Sequence, residues 1–255
     1  MLDSGAKILI AHKDLVHQLD KKNLPDVMVA VFPTPEEVVQ SYHIDVKTLS
    51  KTADMALDLE LSLQTANPID TEPKAFRGMF AYTSGSTGRP KGIKRKADDS
   101  NGDKYAVFQS LSHTLMQLTT NDRFYVAAPI YHSAPNTLTL CSLAASDVDI
   151  YISTKFDPEH FLAAIDKYKI THIYIVPTMM IRLLKLPQTM REQYDLSSLK
   201  YALSTGSACP ADIKKAMIDW FGPIFYESYG ASEIGFMTLI SSSEALAKPG
   251  SVGKV

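Results

Sequence analysis

The strongest constraint on the fold is the alternation of short apolar runs with amphipathic segments between residues 122 and 235. The apolar runs are rich in β-branched and aromatic residues, which is typical of buried strands. The strand-bearing segments are 122–132, 147–154, 171–187, 199–210 and 223–235, and the helical segments are 157–170 and 211–222. Strands that alternate with helices form mainly parallel sheets covered by helices. We therefore predict an α/β fold with layered α/β/α subdomains and largely parallel sheets.

The first third of the chain repeats this alternation over a shorter length. Residues 6–11 and 26–32 are predicted strands, and residues 12–22 are a predicted helix. Residues 50–74 are polar and predicted to be irregular, and they end in "TANPIDTEPK", which is predicted to be a linker. The alternation therefore extends over nearly the whole chain.

A second strand-and-helix region surrounds a glycine-rich loop. Residues 77–83 are a predicted strand, and residues 104–118 have helical spacing. We expect a first α/β subdomain over residues 1–120, which contains this loop, and a second over residues 121–255.

Composition excludes several classes of function. The chain has 255 residues with a hydrophobic fraction of 45% and a formal net charge of −2, so nothing favours nucleic acid or an anionic membrane as a partner. Cys141 and Cys209 form neither a disulfide framework nor a zinc-binding spacing. The N-terminus lacks the charge and length pattern of a signal peptide, and no apolar run approaches the roughly 18 residues of a membrane span. We expect a soluble, cytoplasmic protein with no membrane span.

The loop "TSGSTGRPKG", residues 83–92, has a composition suited to polyphosphate. Small residues leave backbone N–H groups free to approach an anion, and Lys91 supplies a compact positive charge. It differs from the P-loop of NTPases, in which Gly and Lys are adjacent and Ser or Thr follows. A flexible, exposed Gly/Ser turn is the alternative. The hydroxyl donors would be Thr83, Ser84, Ser86 and Thr87.

The segment "YTSGSTGRPKG" closely resembles the signature loop of the adenylate-forming superfamily, which includes acyl-CoA synthetases, firefly-luciferase-like enzymes and peptide-synthetase adenylation domains. Three later segments are similar to motifs of this family and occur in the same order. They are "PIYHSAP" (129–135), "STGSACP" (204–210) and "YESYGASE" (226–233), and the closing "KPGSVGKV" resembles the Pro-Gly-Ser-x-Gly turn that follows them. The first third of the chain fits the family only loosely.

The resemblance implies a role for each matched residue. The loop residues Thr83, Ser84, Gly85, Ser86, Thr87, Gly88 and Lys91 would bind the β- and γ-phosphates of ATP, Thr87 and Glu233 would hold Mg²⁺, and Tyr229 would stack on adenine. The other implied nucleotide-binding residues are Gly206, Ser207, Ala208, Glu227, Ser228, Gly230, Ala231 and Ser232. Lys91, His132 and Glu233 are the predicted catalytic residues.

Several of these residues also have ordinary structural interpretations. Tyr229 in an apolar strand fits a core residue, and Glu233 fits a solvated carboxylate. A single histidine such as His132 after a strand is usually structural. Ser232 replaces the threonine of the family motif but keeps its hydroxyl, and Cys209 is interpreted as a small residue that lines a pocket.

The implied reaction has two steps. A carboxylate attacks the α-phosphate of ATP to give acyl-AMP and pyrophosphate, and a thiol then displaces AMP. The implied cofactors are ATP, Mg²⁺ and CoA. A carrier protein is the alternative source of the acceptor thiol. The resemblance leaves open whether the protein forms a homodimer. The segment "PKGIKRK" lacks a histidine common in the family, which favours a fatty or related acyl group over an aryl group.

The family's C-terminal small domain, with its catalytic lysine, follows the Pro-Gly-Ser-x-Gly turn, where this sequence stops. We therefore expect a truncated large domain, from which complete ligase turnover is not expected. The alternative is a catalytically inactive module that binds ATP or an acyl group.

Overall fold

The computed structural model describes residues 4–18, 26–44, 57–67, 80–83, 91–94, 104–145 and 147–254. The chain divides into two compact units, Met1–Ala75 and Phe76–Val255. This division lies before the glycine-rich loop, whereas the sequence placed the boundary near residue 120. The reason is that the helix at Lys104–Thr114 packs on a helix of the second unit, Ser133–Ala144.

The first unit contains a three-stranded parallel sheet. Its strands are β1 (Ile8–His12), β2 (Met28–Phe32) and β3 (Leu57–Asp58), in the order β1-β2-β3. A 3-10 helix at Lys13–Gln18 and the α-helices α1 (Glu36–Tyr42) and α2 (Leu59–Thr65) accompany them. The Asp58 side chain caps α2 by accepting a hydrogen bond of 3.0 Å from the Leu61 N–H.

The second unit is built on a six-stranded sheet in the order β11-β10-β9-β8-β6-β7. Its strands are β6 (Arg123–Val126), β7 (Asp149–Ile152), β8 (His172–Ile175), β9 (Tyr201–Ser204), β10 (Phe225–Ala231) and β11 (Gly235–Ser241). All neighbouring pairs are parallel except β10 and β11, which are antiparallel. A separate hairpin of β4 (Phe80–Thr83) and β5 (Lys91–Lys94) precedes this sheet in the chain.

Helices precede, connect and follow the strands of the six-stranded sheet. They are α3 (Lys104–Thr114), α4 (Ser133–Ala144), α5 (Pro158–Tyr168), α6 (Pro177–Leu184), α7 (Gln188–Arg191), α8 (Ala211–Phe221) and α9 (Ser242–Ala247). The α4 connection runs towards β7, whereas those through α5, α6 and α8 run the opposite way. Right-handed crossovers therefore place α4 on one face and the others on the second face. The contacts agree, since α3 packs on α4, α5 on α6, and α6 on α8.

The core lies between these layers. Every residue of β8 and β9 is buried, including Ile173, Ile175 and Leu203. Parallel strands covered on both faces read as continuous apolar runs, which is why the sequence indicated them clearly. The predicted α/β fold with largely parallel sheets is confirmed.

Other expectations differ from the structure in extent. The predicted helix at 12–22 contains a 3-10 helix, and its residues after Gln18 lie outside the described part of the chain. The helix predicted at 104–118 stops at Thr114, and Gln117 then takes a positive φ of 54° that no α-helix accommodates. The segment 50–74, predicted to be irregular, contains β3 and α2.

A polar cluster ties together the amino ends of three strands. Asp122, whose side chain is 1% exposed, precedes β6 and accepts hydrogen bonds from the N–H and hydroxyl groups of Thr119 at 2.8 and 2.7 Å. Lys200, directly before β9, places its Nζ 2.8 Å from Asp122 Oδ1, and His172 of β8 lies 3.7 Å from the same oxygen. Burial raises the pKa of Asp122, but the hydrogen bonds from Lys200 and Thr119 outweigh it and bring the pKa down to about 2.

This cluster makes stability depend on pH. Because the folded pKa of Asp122 lies below the ordinary 3.8, its contribution is present above about pH 4 and is lost as the pH falls towards 2. We expect Asp122→Asn to lower the free energy of unfolding by about 2 kcal/mol at pH 7, and to differ much less from the parent chain at pH 2.5. Urea denaturation at several pH values measures this difference in the free energy of unfolding.

Asp149→Asn, at an exposed ion pair with Arg123, is the control and should show little pH-dependent difference. A constant Asp122→Asn difference across this range contradicts the assignment.

Candidate functional site

The candidate site lies at the carboxyl edge of the six-stranded sheet. Because β6, β8, β9 and β10 run in the same direction, the segments that follow them all emerge at this edge. The connections after β6 and β8, which are neighbours, pass to opposite faces of the sheet, and such switch points form ligand-binding crevices in open α/β sheets. Three of the four motifs quoted from the sequence therefore converge.

The motif after β6 leads into α4. His132 is the N-cap residue of α4, and its backbone N–H donates to the Pro129 carbonyl at 3.2 Å. Its exposed imidazole lies against Tyr131, with ring centroids 4.6 Å apart. The imidazole makes no hydrogen bond that caps α4, so it is accessible at the carboxyl edge of the sheet.

The motif after β9 forms a tight turn over the end of β8. Gly206 has a φ of +98°, which favours glycine, and an added Cβ would lie 3.7 Å from the Tyr174 hydroxyl and 4.0 Å from Val176 Cγ1. Gly206, Ser207 and Ala208 are exposed in succession. This turn offers a small, accessible backbone surface of the kind that a planar base can approach.

The motif at residues 226–233 begins inside β10, which contains a bulge and ends at Ala231. The ladder with β11 shifts register between Tyr229 and Gly230, and a Cβ at Gly230 would collide with the Gly235 carbonyl. Tyr229, the last residue before the bulge, is 53% exposed. The Tyr229 N–H donates to Thr238 Oγ1 at 3.4 Å. The exposed ring argues against the interpretation of Tyr229 as a core residue.

The motifs after β6 and β10 meet directly. Ser133 Oγ at the start of α4 and Ser232 Oγ lie 3.3 Å apart within hydrogen-bonding distance. The sequence did not single out Ser133, although it stands next to His132 in the quoted motif. The hydroxyl retained at Ser232 therefore has a structural partner across the site.

Glu233 follows Ser232 and is exposed. In the described ranges, no group of three or more His, Cys, Asp or Glu side chains is arranged to hold a metal. Mg²⁺ is commonly held by one or two carboxylates together with substrate phosphates and water. Glu233 is an accessible carboxylate of the kind that such a magnesium ion takes as a ligand, and Thr87, the other predicted ligand, lies outside the described residues.

Glu227 and Ser228 are placed differently from the exposed members of their motif. Their residues are 6% and 3% exposed, so their side chains lie within the sheet layer. Glu227 instead forms an ion pair with Lys214 of α8. The motif alone did not separate these two buried side chains from the exposed ones that follow them.

The β4–β5 hairpin frames the predicted phosphate loop. Thr83 pairs with Lys91 across the antiparallel ladder, so the ends of the loop are held together. Lys91 is exposed. Ser84, Gly85, Ser86, Thr87 and Gly88 lie outside the described residues.

Comparison with known proteins assigns the family. The family model described as AMP-binding enzyme matches residues 1–255, so the chain belongs to the AMP-binding enzyme family, as its motifs predicted. A long-chain-fatty-acid–CoA ligase from Bacillus subtilis is 28% identical over 239 residues, which are 91% of this chain and 40% of that protein.

Solved structures show the same fold. The anthranilate CoA ligase AuaEII in complex with anthranoyl-AMP has a TM-score of 0.73 at 20% identity, covering 98% of this chain and 44% of that one. The o-succinylbenzoate CoA synthetase of Bacillus subtilis, in complex with ATP and magnesium, has a TM-score of 0.60 at 20% identity, with 99% and 56% covered. The chain spans between about a quarter and a half of the length of the curated relatives that it matches. In the described part of the chain, no helix has the length and apolar character needed to cross a membrane.

The bulge provides a test of the site's geometry. We expect Gly230→Ala to lower the free energy of unfolding by about 2 kcal/mol, because the new Cβ forces the backbone of Gly235 to move. Gly250→Ala is the matched control, since Gly250 has a positive φ of 87° but open space around its Cβ, and it should cost only about 1 kcal/mol. Urea denaturation measures both. An equal or smaller loss for Gly230→Ala would show that the close approach to Gly235 is not a constraint.

Proposed function

We propose that this chain binds ATP and activates a carboxylic acid as an acyl adenylate, as the large-domain portion of an acid–CoA ligase. The observation that carries the proposal is the meeting of the Gly206 turn, the exposed Tyr229 and the His132 motif at one edge of a parallel sheet. Membership of the AMP-binding enzyme family supports it.

The adenosine part of ATP is assigned to the surface between the motifs after β9 and β10. Tyr229 would stack on adenine, because its ring is exposed and its backbone is held by Thr238. Gly206, Ser207 and Ala208 would pass along the other side of the base, where a larger side chain at the first position would be strained.

The phosphates are assigned to the β4–β5 hairpin and its loop. Thr83 and Lys91 face each other across the hairpin, so a hydroxyl and an ammonium group stand at the loop's two ends. The loop residues Ser84, Gly85, Ser86, Thr87 and Gly88 would add backbone and hydroxyl donors. Glu233 and Thr87 would hold Mg²⁺, which, when bound, neutralises the charge of the phosphates.

The first chemical step requires positioning more than proton transfer. The carboxylate of the substrate attacks the α-phosphate, and pyrophosphate leaves from the opposite side, so alignment and charge stabilisation supply most of the rate enhancement. Lys91 would stabilise charge on the departing phosphates. His132, presented at the same edge, would contact the carboxylate as it attacks.

The class of acid is proposed to be fatty or related acyl, from the "PKGIKRK" segment. A long-chain-fatty-acid–CoA ligase is among the relatives, and an anthranilate CoA ligase, which acts on an aryl acid, is among the structural neighbours. CoA is the proposed acceptor thiol for the second step.

Binding of Mg²⁺–ATP to the 255-residue chain tests the phosphate assignment. We expect isothermal titration calorimetry to show saturable binding that Lys91→Ala weakens by about 10- to 100-fold, the equivalent of the ~1.5–3 kcal/mol typical of a charge-assisted hydrogen bond. Lys185→Ala, at the C-terminal end of α6 and therefore towards the amino edge of the sheet, removes the same charge and should change the affinity less than twofold. Equal effects of the two variants would contradict a specific phosphate contact.

Release of pyrophosphate tests the chemistry. We expect ATP- and acid-dependent release to be greater with fatty acids than with benzoic or cinnamic acids at equal concentration, and Glu233→Gln to lower it at least tenfold through loss of the carboxylate ligand. Glu192→Gln, at an exposed position after α7, is the control. Saturable ATP binding without acid-dependent release would instead support the inactive binding module.

A further inference from the structure

One buried ion pair is not used by the proposed chemistry. Lys214 Nζ and a Glu227 carboxylate oxygen are in contact, with only 11% and 8% of the two side chains exposed. Taking both charges out of water is costly, and a well-packed apolar pair of similar size is often as stable or more stable. Stability alone therefore does not account for this pair.

The pair joins the two elements that carry the candidate adenine surface. Lys214 lies in the first turn of α8, four residues after Pro210, where the Gly206 turn ends. Glu227 lies in β10, two residues before Tyr229, and is paired in register with Ser204 at the end of β9. The contact thus fixes the start of α8 against β10, close in sequence to both the Gly206 turn and Tyr229.

The surroundings leave the two side chains little room to move. A cavity of about 10 Å³, the space of about one water molecule, is lined by Lys214 and Glu227, by Ser204, Cys209, Tyr226, Ser241 and Ser242, and by apolar residues. In the described residues, Ser204 Oγ is buried there without a hydrogen bond, and Glu227 Oε2 has its contact with Lys214 Nζ but no hydrogen bond of ordinary geometry. A shift of α8 relative to β10 would separate the two charges, and the hydroxyl groups that line the cavity carry no charge that could replace either partner.

We propose that Lys214 and Glu227 are positioning residues that hold the Gly206 turn and Tyr229 at the separation needed to accept an adenine ring. This inference rests on the proposed function. Neither side chain contacts the nucleotide; the pair acts through the backbone of α8 and β10. It extends the site to Lys214, which no sequence motif marked.

A double-mutant cycle separates positioning from stability. The variants are Lys214→Met, Glu227→Met and the two combined, each measured for its urea denaturation midpoint and for AMP affinity by calorimetry. AMP is the probe because it lacks the β- and γ-phosphates assigned to the hairpin. Each single variant leaves a buried charge unpaired and should lower the midpoint, whereas the double variant should recover it. The recovered double variant should still bind AMP about tenfold more weakly than the parent chain.

The matched control is Lys215→Met combined with Asp219→Met, which removes an exposed ion pair from the same helix. It should leave both the AMP affinity and the urea denaturation midpoint nearly unchanged.

If the double variant at 214 and 227 is folded and binds AMP within twofold of the parent chain, the positioning role is overturned while the proposed function stands. If the parent chain itself binds no AMP, the proposed function fails, and the positioning role fails with it. A double variant whose urea midpoint is no higher than those of the single variants would also overturn the proposal, because the ion pair would then be needed for stability.

Discussion

The parallel pairing of β6, β8, β9 and β10 is the constraint on which the candidate site depends. Residues near positions 132, 206 and 229 are far apart in sequence, and they meet only because their strands run in the same direction and end at one edge. The opposite edge is anchored by Asp122, which joins the starts of β6, β8 and β9 through hydrogen bonds and charge. The two edges therefore have separate roles, one in holding the strands together and the other in presenting accessible groups.

Close approach of backbone segments gives the accessible edge its shape. Gly206 permits the turn over Tyr174, Gly230 permits the bulge that follows the exposed Tyr229, and Gly253 lets the final segment lie against Leu239. That final segment is held by the Thr238 hydroxyl, which donates to the Val252 carbonyl at 2.5 Å, and by a bridge between Leu239 and Lys254. Because Thr238 also accepts the Tyr229 N–H, the end of the chain supports the segment that carries the exposed ring.

The sequence predicted those elements whose pattern is strong in isolation. The buried strands β8 and β9 and the amphipathic helices α5 and α8 lie where apolar periodicity indicated them. The helix α4 was not predicted, because it includes Pro135 and several residues with low helix propensity, and it is stabilised by packing on α3. Motif resemblance predicted Gly206, Tyr229 and Glu227 as site residues, but it did not separate the exposed Gly206 and Tyr229 from the buried Glu227. Lys214 looks like an ordinary surface lysine of a helix, and only the packing of α8 against β10 reveals its partner.

The most direct test of the account is an amide ¹H–¹⁵N NMR titration of the whole chain with AMP. The account predicts that the largest chemical-shift changes occur at residues 205–208 and 229–233, while amides around Asp122 and His172 at the amino edge stay unchanged. Changes centred on the amino edge, or no changes in a folded protein, would show that the carboxyl edge of this sheet is not a nucleotide site.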